Sequence, residues 1–591
     1  MNRIPFIPEN APFTAEQRMW LNGFLAGVFS NANPPGAESL ASTLGLDAGP
    51  KTPLTVLYGS QTGTAEGLAK KTAKVAESRG FAPKLVSMDK YSDVDLTKEQ
   101  NVLFITSTYG DGDPPDMAQA FWNWLKADTA PKLDHLRYSV LALGDTNYSA
   151  FCEFGKKCDE RLAALGAKRV ADRKDCDTDY ETPAAEWTAS VFDALGAATQ
   201  QSGANGSNGS ADDTSSGVAA WSRKNPFPAR LIANRRLSAE GSGKDVRHFE
   251  ISLAGSGLTY EVGDALGVIP SNCPALASEI LATLGCDGEE AVKTADGEMP
   301  LRLALTKHFD ITRPSHELLN AVAQRSPGAE FAPLLDAARK DDLKKWLYGR
   351  EIMDVLGCLT TPFPAQEFVP LLKKIAPRLY SISSSLKAHA DEVHLTIAAV
   401  RYDAHGRSRK GIASTFLADR VGETGDVPVY IQPSHGFKPP VNGDTPMIMV
   451  GPGTGIAPFR AFLEERLATG AKGRNWLFFG DQKRATDFLY QEQLEGWVKD
   501  GLLTRLDLAF SRDQPEKIYV QSRMLEAAAE LWSWLEAGAH FYVCGDASRM
   551  AKDVDAALHT IIETAGGKSG DEAKAYVERL KSEKRYQRDV Y

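Results

Sequence analysis

Three short loops rich in hydroxyl, glycine and tyrosine residues have the chemistry to hold a flat, phosphorylated molecule. The first loop follows the predicted strand TVLYG, opens a predicted helix, and comprises Ser60, Gln61, Thr62, Gly63, Thr64 and Ala65. The free backbone N–H groups at the start of a helix, together with nearby hydroxyls, suit a phosphate. The loop has no Lys or Arg and lacks the GxxxxGKS/T pattern, so it is not a nucleoside-triphosphate loop.

The second and third loops follow the next two predicted strands, and each supplies a tyrosine. They comprise Ser107, Thr108, Tyr109 and Gly110, and then Leu143, Gly144, Asp145 and Tyr148. Parallel sheets bind ligands at the carboxyl ends of their strands, so we expect the three loops to converge. Tyr109 and Tyr148 can then sandwich a heteroaromatic ring. Either tyrosine alone is more often part of ordinary packing, but the order of the three loops favours a binding site.

Two further segments, in the second half of the chain, offer a cation and several hydrogen-bond donors. The segment RLYSISSS begins with Arg378, Leu379, Tyr380 and Ser381. On a strand, alternation places Arg378 and Tyr380 on one face and Leu379 and Ser381 on the other. The segment KGIAST contains Gly411, Ile412, Ala413 and Ser414, with backbone and hydroxyl donors. An ordinary strand is the alternative interpretation of RLYSISSS.

A glycine-rich turn follows the predicted strand MIMV and contains Gly453, Thr454 and Gly455. Strand, glycines and then helix is the order that a pyrophosphate site requires. A downstream group comprises Ser511, Arg512, Lys517, Tyr519 and Gln521. Two cations and two hydroxyls suit a dianion such as a nucleotide 2′-phosphate, whereas an NAD site typically places an acid on the ribose. Solvated surface charge is the alternative for Arg512 and Lys517.

Composition limits the classes of protein to which the chain can belong. The 591 residues are 43% hydrophobic and 24% charged, which predicts a folded chain of more than one domain. The net charge of −10 argues against a nucleic-acid partner. We find no apolar run of about 20 residues and no signal-peptide pattern, so we expect no membrane segment and a cytoplasmic location. The seven scattered cysteines form no CxxC pair and predict no metal site.

The clearest break in the chain is a segment rich in Gly, Ser and Asn at residues 199–217. Its composition predicts a flexible tether, with a long surface loop as the alternative. Strand and helix patterns alternate before it and again near the C-terminus, which predicts parallel sheets. We expect five segments: an N-terminal arm (1–50), an α/β domain (51–198), a linker (199–220), a β-rich domain with a helical insert at about 271–372 (221–440), and a second α/β domain (441–591).

These motifs, in this order, resemble the diflavin reductase family over about residues 53–591. SQTGTAE, STYGDGDPPD and LGDTNYSAF resemble the FMN loops of its flavodoxin-like domain, and Asp179 is a further candidate contact of the ribityl chain. RLYS and KGIAS resemble FAD motifs of the ferredoxin–NADP reductase superfamily. The resemblance implies a multidomain α/β protein with a flavodoxin-like domain, an FAD β-barrel with a helical insert, and a doubly wound NADP-binding sheet. Its cofactors would be FMN, FAD and NADPH.

The resemblance also implies roles for single residues. Arg378 would pair with the FAD pyrophosphate, Tyr380 would lie on the flavin, and Ser381 would bond near flavin N5. Cys544, at the end of the strand HFYV, would lie beside the nicotinamide, although a strand-end cysteine is usually a small buried filler. Tyr591 would cover the FAD face until NADPH displaces it, and Asp589 would lie near the hydride path. Electrons would pass from NADPH through FAD to FMN.

Within that family, the ending RYQRDVY and the arm FTAEQRMWLNGFLAGVFSN resemble the flavoprotein subunits of assimilatory NADPH–sulfite reductases. That resemblance implies an enzyme whose partner is a separate sulfite reductase hemoprotein carrying siroheme and an iron–sulfur cluster. It leaves open a homo-oligomer formed through the arm. Two alternatives also stay open: a diflavin reductase that serves another heme protein or a monooxygenase, and a flavin-binding regulator without enzymatic activity.

Overall fold

The computed structural model describes residues 51–197 and 221–591, apart from residues 62, 110, 111, 146–149, 178, 179, 423, 424 and 435. The predicted arm at 1–50 and the whole of the predicted linker at 199–220 lie outside the described residues. No described helix is long and apolar enough to cross a membrane.

The first domain is a parallel sheet covered by helices on both faces. Its elements are β1 (Thr52–Gly59), α1 (Thr64–Ser78), β2 (Phe81–Ser87), β3 (Asn101–Ser107), α2 (Gln119–Lys126), β4 (Arg137–Leu143), α3 (Glu153–Ala164), β5 (Lys168–Arg169), β6 (Lys174–Cys176) and α4 (Glu181–Ala197). The strand order is β2-β1-β3-β4-β5, with β6 also paired to β4. Neighbouring residues Val56 and Leu57 enter different apolar cores on the two faces, as expected for a strand buried on both sides.

The second domain is an antiparallel barrel whose first strands precede a helical insert. These strands are β7 (Phe227–Arg236), β8 (Val246–Ser252) and β9 (Ala265–Val268). The insert has its own apolar core, which includes Leu281, Phe331 and Ile352. Its elements are α5 (Pro274–Leu284), β10 (Ala291–Thr294), β11 (Gly297–Pro300), α6 (Leu301–Leu303), α7 (His316–Arg325), α8 (Lys340–Leu347), α9 (Ile352–Leu356) and α10 (Ala365–Phe368).

The chain then returns to the barrel and completes it. The elements are β12 (Arg378–Ser381), β13 (Glu392–Ala398), β14 (Arg401–Ala404), β15 (Arg407–Lys410), α11 (Ile412–Thr415) and β16 (Asp426–Gln432). The barrel strands run in the order β12-β9-β16-β7-β8-β13, while β14 and β15 form a separate hairpin. A bridge between Ile382 and Leu395 joins the two ends of this order, so the sheet closes on itself.

The third domain is a parallel sheet in the order β19-β18-β17-β20-β21. Its elements are β17 (Met447–Val450), α12 (Ala457–Thr469), β18 (Asn475–Asp481), α13 (Arg484–Asp487), α14 (Gln491–Lys499), β19 (Arg505–Phe510), α15 (Val520–Glu526), α16 (Ala528–Glu536), β20 (His540–Gly545), α17 (Met550–Thr564), α18 (Gly570–Ser582) and β21 (Tyr586–Val590). The chain thus ends on an edge strand of this sheet. The predicted fold class is confirmed by these three architectures.

Candidate functional site

The first predicted loop lies at the amino end of α1, where the helix begins at Thr64. The hydroxyl of Ser60 accepts hydrogen bonds from the backbone N–H groups of Gly63 (2.9 Å) and Ala65 (3.2 Å). Gly63 has φ of +89°, a left-handed conformation that favours glycine. The 15-residue helix directs its positive end towards this loop, which suits a phosphate. Thr62 lies outside the described residues.

The second and third loops meet this edge of the sheet, as their order in the sequence predicts. Thr108 N–H donates to the carbonyl of Leu143 (2.9 Å), which joins the two loops directly. The Leu143 side chain is buried in the core, and Gly144 N–H donates to Cys176. Among the described residues, the buried Ser107 hydroxyl has no hydrogen-bond partner, so this edge fits a ligand with further polar atoms. Asp145 follows Gly144, whereas Gly110, Tyr148 and Asp179 lie outside the described residues.

Tyr109 is half-buried against residues of the third domain. Its hydroxyl donates to the carbonyl of Val590 (3.0 Å) and lies 3.3 Å from Val590 N. Burial, more than the neighbouring Asp116, raises the pKa of Tyr109 above its ordinary value, so the phenol stays protonated. The first loop joins the same contact region, because Gln61 and Asp116 form a pair of hydrogen bonds of 2.9 and 3.1 Å.

The strand β12 presents the second candidate binding segment beside β9, with Arg378 opposite Val268 and Tyr380 opposite Leu266. Arg378 is half-buried, and its guanidinium donates to the backbone carbonyls of Ala376 (3.1 Å) and Pro377 (3.3 Å). No ion pair between described residues includes Arg378, which leaves this guanidinium able to meet a bound pyrophosphate. Tyr380 is partly buried, whereas the Leu379 side chain is 49% exposed on the opposite face.

The segment after β15 packs tightly against Val400, which follows β13. A Cβ on Gly411 would lie only 2.8 Å from Ser414 Oγ and from Val400 Cβ, so a larger residue would displace the turn. The Ser414 hydroxyl accepts a hydrogen bond from Val400 N (3.1 Å), and Ala413 is buried. Ile412 opens the short helix α11, whose first backbone N–H groups are the donors that suit a phosphate.

Three side chains predicted to surround the reacting atoms come together at the end of β21. Ser381 Oγ donates to Asp589 Oδ2 at 2.5 Å, and Cys544 Sγ lies 3.8 Å from the same oxygen. These residues come from three different strands, and β21 pairs with β20 so that Asp589 lies opposite Cys544. Burial raises the pKa of Asp589 although both neighbours favour its charged form, and burial raises the pKa of the Cys544 thiol.

The glycine-rich turn lies between β17 and α12. Gly453 has φ of +58°, and a Cβ on Gly455 would lie 2.1 Å from the carbonyl oxygen of Cys544. The turn can therefore approach β20 this closely only with glycine at position 455. Thr454 Oγ1 lies 3.0 Å from the hydroxyl of Tyr591, so the terminal tyrosine contacts the turn directly. The Tyr591 side chain remains 59% exposed, which leaves it accessible to an incoming ring.

The predicted anion group lies at the carboxyl end of β19 and the start of α15. Ser511 and Arg512 follow β19, and Arg512 N–H donates to Gln482 O. Lys517 and Tyr519 precede α15, while Gln521 in its first turn donates to Asp553 (3.2 Å). Arg512 and Lys517 are exposed, and no ion pair between described residues includes either. The two cations are thus available to a dianion at this edge.

Four contributing residues, which form two ion pairs, were not among the candidates that the sequence indicates. Asp116 and Arg588 form an ion pair across 472 positions of chain. Lys244, in the β7–β8 loop, pairs with Asp481 (2.5 Å), and a Cβ on Gly453 would lie 3.9 Å from its Nζ. No sequence pattern indicates these four residues, because partners so distant in sequence give no periodic or motif signal.

Comparison with known proteins assigns the three domains to families. The Flavodoxin model matches residues 56–187, the FAD binding domain model matches 219–416, and the Oxidoreductase NAD-binding domain model matches 449–556. These domains support FMN, FAD and NADPH as the cofactors, as predicted. The residues described above fit these groups: FMN at the loops after β1, β3 and β4, FAD at β12 and α11, and NADPH at the turn after β17.

Curated relatives match nearly the whole chain. The sulfite reductase (NADPH) flavoprotein alpha-component of Bacillus subtilis (strain 168) is 47% identical over 584 residues, which are 98% of this chain and 96% of the relative. The proteins of that name from Vibrio vulnificus and Shewanella oneidensis are 41% and 42% identical, over 100% and 98% of this chain and 96% of each relative. The chain therefore belongs to the family of sulfite reductase (NADPH) flavoprotein alpha-components.

Proposed function

We propose that this chain is the NADPH-oxidising component of an assimilatory sulfite reductase. It takes electrons from NADPH, passes them through FAD and FMN, and delivers them to a separate hemoprotein that reduces sulfite to sulfide. The observation that carries the proposal is the meeting of three separately built sites at one place. Tyr109 from the first domain, Ser381 from the barrel and Asp589 from the third domain all contact the terminal strand or belong to it.

Within this proposal, the site residues have distinct tasks. NADPH supplies a hydride, FAD accepts its two electrons, and FMN can pass them on singly. The turn at Gly453–Gly455 holds the nucleotide pyrophosphate, and Arg512 and Lys517 hold its 2′-phosphate. Thr454 keeps Tyr591 in place until a nicotinamide ring takes that position. Ser381, Asp589 and Cys544 orient the reacting atoms, with the Cys544 thiol neutral because burial raises its pKa.

We also propose the domain boundaries, an oligomer surface and a cellular location for this chain. The domain boundaries are 51–198, 221–440 and 441–591, with the insert at about 271–372, the linker at 199–220 and the arm at 1–50. The arm is the candidate surface for a homo-oligomer. A cytoplasmic location agrees with the enzyme's dependence on NADPH and a separate hemoprotein.

A reconstitution tests the proposal. Purified chain is mixed with a sulfite reductase hemoprotein, NADPH and sulfite, with each protein alone as a control, and sulfide is measured. Cytochrome c reduction by the same preparation shows that the flavins are active. We expect sulfide only in the mixture. Cytochrome c reduction without sulfide would leave a diflavin reductase with another acceptor, and failure of both reactions would exclude the electron relay.

A further inference from the structure

Two short motifs on the paired barrel strands β8 and β13 bring histidine and glutamate side chains together. The motif HFE occupies residues 248–250 of β8, and the motif EVH occupies residues 392–394 of β13. Side chains two positions apart on a strand share a face, so each motif presents one imidazole and one carboxylate on the same side. The strands are antiparallel, and their register sets Glu250 opposite His394. The middle residue of each motif belongs instead to the apolar core of the barrel.

Three of these side chains bring their potential ligand atoms into one group. A ring nitrogen of His248, a ring nitrogen of His394 and a carboxylate oxygen of Glu250 all lie within 4.8 Å of one another. Both imidazoles are almost fully buried, with 1% and 2% of their surface exposed. His248 Nε2 lies 3.2 Å from Glu250 Oε1. Two ligand atoms bound to one tetrahedral zinc ion lie about 3.3 Å apart, so this pair already has the spacing of two zinc ligands.

The other contacts of the two imidazoles leave one nitrogen of each available to a cation. His248 Nδ1 lies 2.8 Å from the Tyr490 hydroxyl, which lies 2.6 Å from Thr396 Oγ1. With Nδ1–H donating to Tyr490, the lone pair of His248 Nε2 is available. His394 Nε2 lies 3.2 Å from Glu392 Oε2, whereas the buried His394 Nδ1 has no hydrogen-bond partner among the described residues. A carboxylate on one ring nitrogen and a metal on the other is the usual environment of a metal-binding histidine.

The charges around the group suit a divalent cation. The carboxylates of Glu250 and Glu392 match two positive charges. The buried Arg460 of α12, which packs against the Tyr490 ring (5.1 Å), is paired with Glu464 at 2.7 Å, so its own charge is balanced. The Glu250 side chain is 30% exposed, which gives an ion access from solvent. Imidazole nitrogens favour zinc and similar transition metals, whereas magnesium and calcium prefer sites made of oxygen atoms.

We propose that His248, Glu250 and His394 form a binding site for a divalent transition-metal ion of the zinc class, with Glu392 and Tyr490 as positioning residues. Three protein ligands leave a fourth tetrahedral position for water. The ion joins β8 to β13 and, through Tyr490, stabilises the contact of the barrel with the third domain. The site contains no cysteine, so the cysteine pattern of the sequence does not indicate it. It uses none of the residues proposed to hold the flavins or NADPH, so the inference is independent of the electron relay.

The central experiment is equilibrium dialysis against radioactive zinc chloride. It uses the full-length chain loaded with both flavins and freed of metal by a chelator. We expect one saturable site per chain, which excess magnesium does not occupy. Loss of a residue that only orients a ligand lowers metal affinity about 10- to 100-fold, so Glu392→Gln should have an effect of that size. His248→Gln and Glu250→Gln each alter a direct ligand and should lower the affinity about 100-fold or more.

Two matched controls have the same chemistry outside the proposed ligand set. The His389 ring packs against His394 with centroids 4.2 Å apart, but its Nε2 lies 3.2 Å from Glu464 Oε1. His559 of α17 lies 3.6 Å from Asp555 and represents an ordinary histidine–carboxylate pair on a helix. His389→Gln and His559→Gln should both retain the wild-type affinity for zinc.

X-ray absorption at the zinc edge identifies the ligands of the loaded wild-type protein. We expect only nitrogen and oxygen neighbours at about 2.0–2.2 Å, with the scattering pattern of two imidazoles. The flavin content of each variant checks its folding. Because Glu250 is half-exposed and Gln has nearly the same size, Glu250→Gln provides the test if His248→Gln does not fold.

Four results would overturn the inference. They are the lack of a saturable zinc site, wild-type affinity in Glu250→Gln, a loss in His389→Gln as large as that in Glu250→Gln, and a sulfur neighbour at about 2.3 Å from the bound zinc. None of these results depends on sulfide formation. Failure of the reconstitution with the hemoprotein would therefore leave the metal site standing.

Discussion

At the scale of single residues, burial decides which groups near the reacting atoms carry charge. Asp589 accepts from Ser381 and lies close to Cys544, and burial raises the pKa of both acidic groups. A neutral thiol beside a carboxylate suits a site that must receive a hydride without a competing nucleophile. Only the resemblance to a known family predicts that these side chains lie close together. Positions 381, 544 and 589 are too far apart in the sequence for any local spacing pattern to indicate it.

Arg512 should determine the choice between NADPH and NADH. It is exposed at the carboxyl edge of the third domain, and no ion pair between described residues includes it. Loss of a charge-assisted hydrogen bond costs about 1.5–3 kcal/mol, so Arg512→Ala should lower the preference for NADPH about 10- to 100-fold. The measurement is kcat/KM for each nucleotide. The control is Lys472→Ala, because Lys472 precedes β18 and so lies at the amino edge of the sheet. An equal loss of kcat/KM with both nucleotides in Arg512→Ala would contradict the assignment.

Tyr591 should limit access of the nicotinamide ring. Its hydroxyl contacts Thr454, so the aromatic side chain is held against the turn that binds the nucleotide. Tyr591→Ala removes this obstacle, and we expect NADH to become a better electron donor in steady-state reduction of cytochrome c. Tyr591→Phe keeps the ring and loses only the hydrogen bond, so its effect should be smaller. An unchanged NADH rate in Tyr591→Ala would show that the tyrosine does not cover the flavin.

At the scale of elements, the sequence predicted the strands and turns whose signals are local. The predicted strands TVLYG, MIMV and HFYV lie within the observed Thr52–Gly59, Met447–Val450 and His540–Gly545. A short 3-10 turn at Asp116–Ala118, which follows Pro115, leads directly into α2. The terminal strand β21 was missed, since its mixed charged sequence becomes a strand only by pairing with β20.

The turn at Gly455 should tolerate no side chain. A Cβ there would meet the Cys544 carbonyl oxygen at 2.1 Å, which forces the turn away from β20. We expect Gly455→Ala to weaken NADPH binding at least about tenfold, because phosphate sites depend on the close approach of the backbone. Titration calorimetry measures this. The control is Gly496→Ala, because nothing lies within 4 Å of a Cβ added there and alanine favours the helix α14. Wild-type affinity for NADPH in Gly455→Ala would contradict the role of this turn.

The contact between barrel and third domain should weaken in acid because of two buried histidines. His248 Nδ1 lies 2.8 Å from the Tyr490 hydroxyl, and burial lowers the pKa of His248 to about 3 and that of His394 to about 2. The folded state therefore keeps both rings neutral, while the unfolded chain protonates them below a pH of about 6.5. The free energy of unfolding should fall as the pH drops through that value, by about 2 kcal/mol per histidine between pH 7.5 and 5.

Urea titrations at the two pH values measure this acid dependence. In His394→Gln, the side chain at position 394 cannot gain a proton. The loss of stability of this variant between pH 7.5 and 5 should therefore be smaller than that of the wild type. His316→Gln, at an exposed position of α7, is the control and should retain the wild-type dependence. Equal acid dependence in all three proteins would contradict the role of the buried ring.

At the scale of the whole molecule, two kinds of interface divide the protein. An apolar core runs without a break from barrel residues such as Val246 and Val262 to Met449 and Phe459 of the third domain. The first domain instead contacts β21 through an ion pair and hydrogen bonds. Polar interfaces of this kind permit domains to separate, whereas a shared apolar core joins two domains firmly. This contrast predicts that the second and third domains move as one body and that the first domain can separate from them.

The most direct test of this account is the ratio of NADPH oxidised to sulfide formed when the chain is combined with a sulfite reductase hemoprotein. Reduction of sulfite to sulfide takes six electrons and NADPH supplies two, so the account predicts three NADPH for each sulfide in the absence of oxygen. Omitting either protein should abolish sulfide formation. Continued NADPH oxidation without sulfide, in the presence of an active hemoprotein, would contradict the claim that this chain is its electron donor.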